Sequence, residues 1–141
     1  MSATTGAAMR RAIVCGGRDL GPSESARVKL RTALERHRID VVVHGGCRGA
    51  DRIAGEVARD MGLDVDVHRA EWKRLGREAG PVRNEQMAES GADVCLAMPG
   101  GRGTESMVRI AQQWRIPVER IALPSDGPVE QSGPRQLPLG L

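Results

Sequence analysis

Three short apolar runs in this chain each end in a glycine pair, and a helical pattern follows each one. They are "RAIVCGG" (Arg11–Gly17), "DVVVHGG" (Asp40–Gly46) and "ADVCLAMPGG" (Ala92–Gly101). A short β-branched or aliphatic run bounded by glycine reads as a buried strand ending in a tight turn. Strands apolar at successive positions are buried on both faces, which is the mark of a parallel sheet covered by helices on either side. This repeated strand–glycine–helix unit narrows the fold more than any other feature.

The segments between the runs fit that frame. Ser23 caps a helix through about His37, with Val28, Leu30, Ala33 and Leu34 as an apolar stripe. Gly49–Gly62 reads as a second helix, with Ile53, Val57, Ala58 and Met61 on one face and Gly62 as its C-cap. Leu63–His68 alternates as a third strand. Arg69–Val82 is polar, carries glycines and contains Pro81, so it reads as a long loop, a kind more often functional than idle. Val82–Gly91 is a short helix. Thr104–Arg115 is another, with Met107, Ile110, Ala111 and Trp114 on one side. Ile116–Leu123 is a last strand. The expected architecture is α/β: a Rossmann-like parallel sheet of about five strands with helices on both faces. Residues 1–9 are expected to be flexible, residues 10–123 to form the domain, and the Pro-, Gly- and Ser-rich residues 124–141 to be a disordered tail.

Composition removes several function classes. The 141 residues include no Phe or Tyr and only two Trp, Trp72 and Trp114, too few for an aromatic platform that stacks single-stranded nucleic acid. The net charge of +3 is spread among scattered arginines, with no basic arm. Cys15, Cys47 and Cys95 fit no paired metal pattern, and with His44 and His68 they complete no ligand set, so no metal and no cofactor are expected. No segment reaches the ~20 apolar residues that span a bilayer, and residues 1–11 lack the apolar core of a signal peptide; the expectation is a cytoplasmic protein without a membrane partner.

In parallel α/β sheets, ligands bind at the carboxyl ends of the strands. The pairs Gly16-Gly17, Gly45-Gly46 and Gly100-Gly101 should therefore share one edge. Glycine lets backbone approach an anion, and the helix N-terminus after it adds oriented N–H groups. Candidate ligand residues are Gly16, Gly17, Arg18 and Asp19 at the first turn, and Gly45, Gly46, Arg48, Gly49 and Asp51 at the second. Pro99, Gly100, Gly101, Arg102, Gly103 and Thr104 form the third set. Arg48 can pair with phosphate, and Asp51 can bond a ribose hydroxyl or merely cap its helix. Thr104 stands where an N-cap or a phosphate-binding hydroxyl would be. Arg83 and Asn84 open a helix, where a cation runs against the dipole, so a partner anion or a salt bridge to Glu85 is expected. Trp72 can stack on a base or pack its loop down; Trp114 reads as core. The pattern is neither GxGxxG nor GxxxxGK[ST].

"GGRD", "HGGCRGAD", "EWKRLGREAGPVRNEQM" and "AMPGGRGTESM", in this order, resemble the YspA or cpYpsA-related family of the SLOG superfamily, over about Arg11 to Leu123. The superfamily includes the LONELY GUY phosphoribohydrolases and the Rossmann-like domain of the DNA-processing protein DprA. The resemblance implies a Rossmann-like fold that binds a nucleotide or nucleotide-derived ligand. Those hydrolases cleave the N-glycosidic bond of a nucleoside monophosphate with an Arg in an RKxxM-like segment and the closing Glu of PGGxGTxxE. Arg83 matches the first and would be catalytic in an enzyme. Met107 stands where the Glu would be. Glu105 is two residues earlier, ~200° around a helix, so it is a poor substitute. Asp19, Asp51 and Glu71 are other carboxylates near the edge.

Three functional expectations follow. The favoured one is a nucleotide-binding sensor or accessory domain. The second is an N-glycosidase of nucleoside monophosphates, and the third a DNA-binding accessory, with nucleic acid not favoured as a partner. Relatives of this kind commonly dimerise, and Thr104–Arg115 is the candidate interface.

Overall fold

Alternation along the strands makes the sheet two-sided. In β1 (Arg11–Cys15), Ala12 and Val14 point to one face and Ile13 and Cys15 to the other, and all four are buried. The computed structural model describes residues 9–124; the expectations for residues 1–8 and 125–141 lie outside it. Strands β2 (Val41–His44), β3 (Asp64–Val67), β4 (Val94–Ala97) and β5 (Val118–Arg120) join β1 in one parallel sheet, ordered β3-β2-β1-β4-β5. The three central strands are mostly aliphatic, with Arg11 and His44 only at their ends and Cys15 and Cys95 as small buried side chains. The edge strands carry Asp64, Asp66, Glu119 and Arg120, charges that discourage further pairing.

Helices α1 (Glu24–Arg36) and α2 (Ala50–Met61) cover one face. Their core joins Leu30, Leu34, Ile53 and Val57 to Val14, Val42 and Leu96. Helices α4 (Ala79–Glu89) and α5 (Arg102–Gln113) cover the other, where Met87, Met107 and Val108 meet Ile13, Val43 and Cys95. Without Phe or Tyr, small aliphatic side chains fill both layers. Each fully buried Leu, Ile or Val adds roughly 1.5–3 kcal/mol to folding.

Ser23 does cap α1, its Oγ accepting from the Ala26 N–H at 3.1 Å. Gly62 ends α2 with φ of +75°, the left-handed conformation that favours glycine.

Three local expectations need correction. Val28 is exposed, because α1 buries Ala26, Leu30, Ala33 and Leu34, and Val28 lies two residues from Leu30, on the far side of the helix. Trp114 is also exposed: it follows the last helical residue of α5, past the stripe that meets the sheet, and its Nε1 donates to Glu85 Oε1 at 2.6 Å. Most of Arg69–Val82 is helical, as α3 (Trp72–Leu75), a 3-10 turn (Gly76–Glu78) and the start of α4. Pro81 is the third residue of α4, within the first turn, where its missing N–H breaks no bond of the helix.

The chain leaves β1 for β2 on one side and returns to β4 on the other. The crevice between the β1 and β4 carboxyl ends is the switch point where this class of sheet binds ligands.

Candidate functional site

Two of the glycine turns interlock at that switch point, and the third leans on them. The Gly17 N–H donates to the Pro99 carbonyl at 2.9 Å, and the Ala50 N–H donates to the Gly17 carbonyl at 3.0 Å. A Cβ on Gly16 would sit 2.6 Å from the Ala50 Cβ, and one on Gly100 would sit 2.6 Å from the Gly17 nitrogen. A Cβ on Gly49, whose φ is +75°, would meet the Gly17 carbonyl oxygen. These glycines are required by chain packing on chain. Gly101 and Gly103 differ: a Cβ there would meet nothing within 4 Å.

Beside the turns lies a cavity of about 930 Å³, within the range of small-molecule sites. The β1 turn (Gly16–Leu20) and the segment from Pro99 to Thr104 line one part of it. Trp72, Arg77, Gly80, Pro81, Arg83, Asn84 and Met87 line the part made by α3, the 3-10 turn and α4. Ser106, Met107 and Arg109 complete the α5 wall, and Val14 and Cys15 lie beneath. Five arginines, Arg18, Arg77, Arg83, Arg102 and Arg109, face two carboxylates, Asp19 and Asp51. That imbalance favours an anionic occupant.

Arg83 is the most constrained of the five. It is only 8% exposed, although guanidinium groups are rarely buried unpaired. Its Nε donates to Asn84 Oδ1 at 2.9 Å, and its Nη1 donates to the Gly45 carbonyl at 2.9 Å and lies 3.8 Å from Cys47 Sγ. Its Nη2 has no hydrogen-bond partner among the described residues. The anticipated salt bridge to Glu85 does not form, since Glu85 accepts from Trp114. Nor does Arg83 open its helix: α4 begins four residues earlier. Asn84 extends the polar wall by donating to Ser106 Oγ at 3.4 Å.

Asp51 is not a helix cap either; Gly49 holds that position. Its Oδ2 accepts from the Cys47 N–H at 3.1 Å and so braces the β2 turn beside the cavity. Burial pushes the Asp51 carboxyl up, against the pull of the Cys47 N–H and of His44 and Arg83. Cys15 lies 3.9 Å from Cys95, and that contact together with burial pushes its thiol well up.

The other anticipated residues divide. Gly45, Gly46, Arg48 and Gly49 do not line the cavity. Arg83 packs against Gly45, and Arg69 packs against Gly46 and donates to its carbonyl at 3.2 Å. Arg48 lies 3.7 Å from Asp19, both well exposed. His44 turns toward α2, where its Nε2 meets Gly55, and its Nδ1 accepts from the Gly46 N–H. Burial lowers its pKa. His68 sits beside Asp66. Glu105 is outside the cavity, where Arg120 holds it with two bonds of 2.8 and 2.9 Å. Glu71 pairs with Arg74. Thr104 is buried in the first turn of α5 behind Gly100, with Gly101 as the cap. Met107 lines the cavity.

Cys47, Arg77, Gly80, Ser106 and Arg109 line the cavity but were not anticipated. Spacing could have shown two of them: Arg102, Ser106 and Arg109 fall at i, i+4 and i+7 on one helix face. Arg77 and Gly80 fall where a loop was expected.

Two comparisons place the chain among known proteins. It is 44% identical to the Gene 61 protein of Mycobacterium phage D29 over 118 residues, which span 78% of this chain and 94% of that protein. Residues 10–75 match the model of the YspA, cpYpsA-related SLOG family. The chain belongs to that family. Among solved structures, this SLOG-family chain is similar to the X-ray structure of TM1055, with a TM-score of 0.60 at 20% identity over 78% of this chain and 72% of that one. It is also similar to DNA processing protein A from Helicobacter pylori, whose structure concerns single-stranded DNA binding. That TM-score is 0.55 at 17% identity, over 79% of this chain and 64% of that one. Both likenesses show the shared fold.

Proposed function

We propose that the cavity binds a phosphorylated nucleotide or nucleotide-derived ligand and that the protein acts as a sensor or accessory of such ligands. The carrying observation is the Arg83 guanidinium, which lines the cavity together with the α5 N-terminus and is buried and held by Asn84 and Gly45 through Nε and Nη1, so that Nη2 keeps its donors without a partner among the described residues. A phosphate there would accept from Nη2 and from the first N–H groups of α5, which have no partner within the helix. The open space at Gly101 and Gly103 leaves room for it. Exposed Arg77, Arg102 and Arg109 add positive potential around the same space.

The test is thermal unfolding with ribonucleoside mono-, di- and triphosphates, for wild type and Arg83→Met. At least one ligand should raise the melting temperature of wild type by several degrees, and the variant should lose that rise. No rise with any of them at millimolar concentration would contradict the reading.

A second reading, N-glycosidic hydrolysis of a nucleoside monophosphate, is favoured by one observation. Asp51 is a buried carboxylate in the same cavity as Arg83, with its pKa pushed up by burial, an environment suited to general acid–base work. Release of free base from a nucleoside monophosphate, abolished by Asp51→Asn, supports it; no turnover rules it out. The likeness to DNA processing protein A suggests a DNA-binding role as a third reading, against which the lack of an aromatic platform and of a basic arm argues. A salt-sensitive mobility shift with single-stranded DNA would be its signature.

A further inference from the structure

Trp72 is the one large aromatic side chain at the cavity, and the core makes no use of it. It is 45% exposed, on the four-residue α3, and it lines the cavity wall. The edge of its indole rests on α4 where Gly80 has no side chain: a Cβ there would lie 3.4 Å from the ring. The Arg18 guanidinium, from the β1 turn, sits over the ring at 5.1 Å from its centroid. Arg18 also lines the cavity and pairs with no carboxylate among the described residues. The pair therefore links the β1 turn to α3 along the cavity wall, and an aromatic face is held ready with an exposed cation as its cover.

We propose that Trp72 and Arg18 form the nucleobase subsite, with the base stacked on the indole and Arg18 on the base's other face. This rests on the phosphate reading above, which fixes the other end of the ligand at Arg83 and α5. Planar groups in contact lie roughly 3.5 Å apart, so a base between the two needs a gap of about 7 Å. Arg18, whose Cζ is 5.1 Å from the ring centroid, must lift by at least about 2 Å to admit the base. Its exposed side chain is free to do so. Stacking on an indole under a guanidinium recognises any base by its π face, without a hydrogen-bond code.

Calorimetric titration with the four ribonucleoside monophosphates and with ribose 5-phosphate tests the subsite, using wild type, Trp72→Leu and Trp72→Phe. Wild type should bind at least one nucleotide about tenfold or more tightly than ribose 5-phosphate. Trp72→Leu should erase that preference and leave ribose 5-phosphate binding unchanged, and Trp72→Phe should restore most of it. In a Trp114→Phe background, leaving Trp72 as the single fluorophore, the nucleotide should quench emission and ribose 5-phosphate should not. A nucleotide that binds without quenching, or a preference that survives in Trp72→Leu, overturns the base subsite and leaves the phosphate reading standing. Binding of neither ligand overturns both.

Discussion

Gly100 has no side chain because its neighbours already fill the space: Thr104 Oγ1, the Gly17 nitrogen and the Gly16 carbonyl carbon. Two of these are backbone and cannot swing aside. Gly100→Ala should cost about 1–3 kcal/mol or more, read by chemical denaturation. Gly103→Ala is the control. It lies in α5 with open space around it, so it should change stability little or raise it by up to ~1 kcal/mol. Arg83 has a structural share in the site besides the ligand contact proposed for it. Arg83→Met leaves the Gly45 carbonyl without its 2.9 Å partner and should cost about 1.5–3 kcal/mol even without ligand. These residues also show where sequence reading stops. That three glycine turns share an edge follows from the strand pattern. That Gly16 and Gly100 serve packing while Gly101 and Gly103 border open space depends on distances between segments far apart in the chain, and spacing carries no sign of it.

Helix α1 is capped at its start and tied to the sheet at its end. At its start, Ser23→Ala removes the cap and should cost about 1 kcal/mol. At its end, Glu119 of β5 accepts from Arg36 at 2.8 Å twice and contacts the His37 ring at 2.7 Å. Arg36 first, then His37, lower the Glu119 pKa from 4.5 to about 2. The folded state thus favours the ionised carboxylate. Its contribution is complete above pH 4.5 and is lost as pH falls through about 2. The side chain is 31% exposed, so solvent screening limits the gain to about 1 kcal/mol. Glu119→Gln should lower stability by that amount at neutral pH and flatten the acid limb of the stability curve; an unchanged limb would contradict the assignment. Element type was legible wherever hydrophobic periodicity was strong, as in β1, β2, β4, α1, α2 and α5. It was not legible over Trp72–Glu78, where two short turns of helix meet at Gly76 and carry no apolar stripe. Pro81 made the boundary look like a stop when it lies inside a first turn. Missing that helix hid Arg77 and Gly80 from the site and made Arg83 look like a helix-opening cation.

At the scale of the molecule, the strand order brings the β1, β2 and β4 turns to one edge, and the switch point opens a cavity beside them. The apolar stripe of α5, a candidate dimer surface from sequence, is spent on the chain's own sheet through Met107, Val108, Ile110 and Ala111. The polar side of the same helix lines the cavity with Arg102, Ser106 and Arg109. One helix thus holds the sheet with one side and borders the cavity with the other. No described helix is long and apolar enough to cross a membrane. The most direct measurement is an amide-resolved NMR titration with the best nucleotide from the thermal screen. Shift changes should centre on Gly101–Thr104 and Arg83, with Trp72 and its Nε1–H following. Changes confined to the outer surfaces of α1 and α2, or no saturable change anywhere, would contradict a nucleotide site at this switch point.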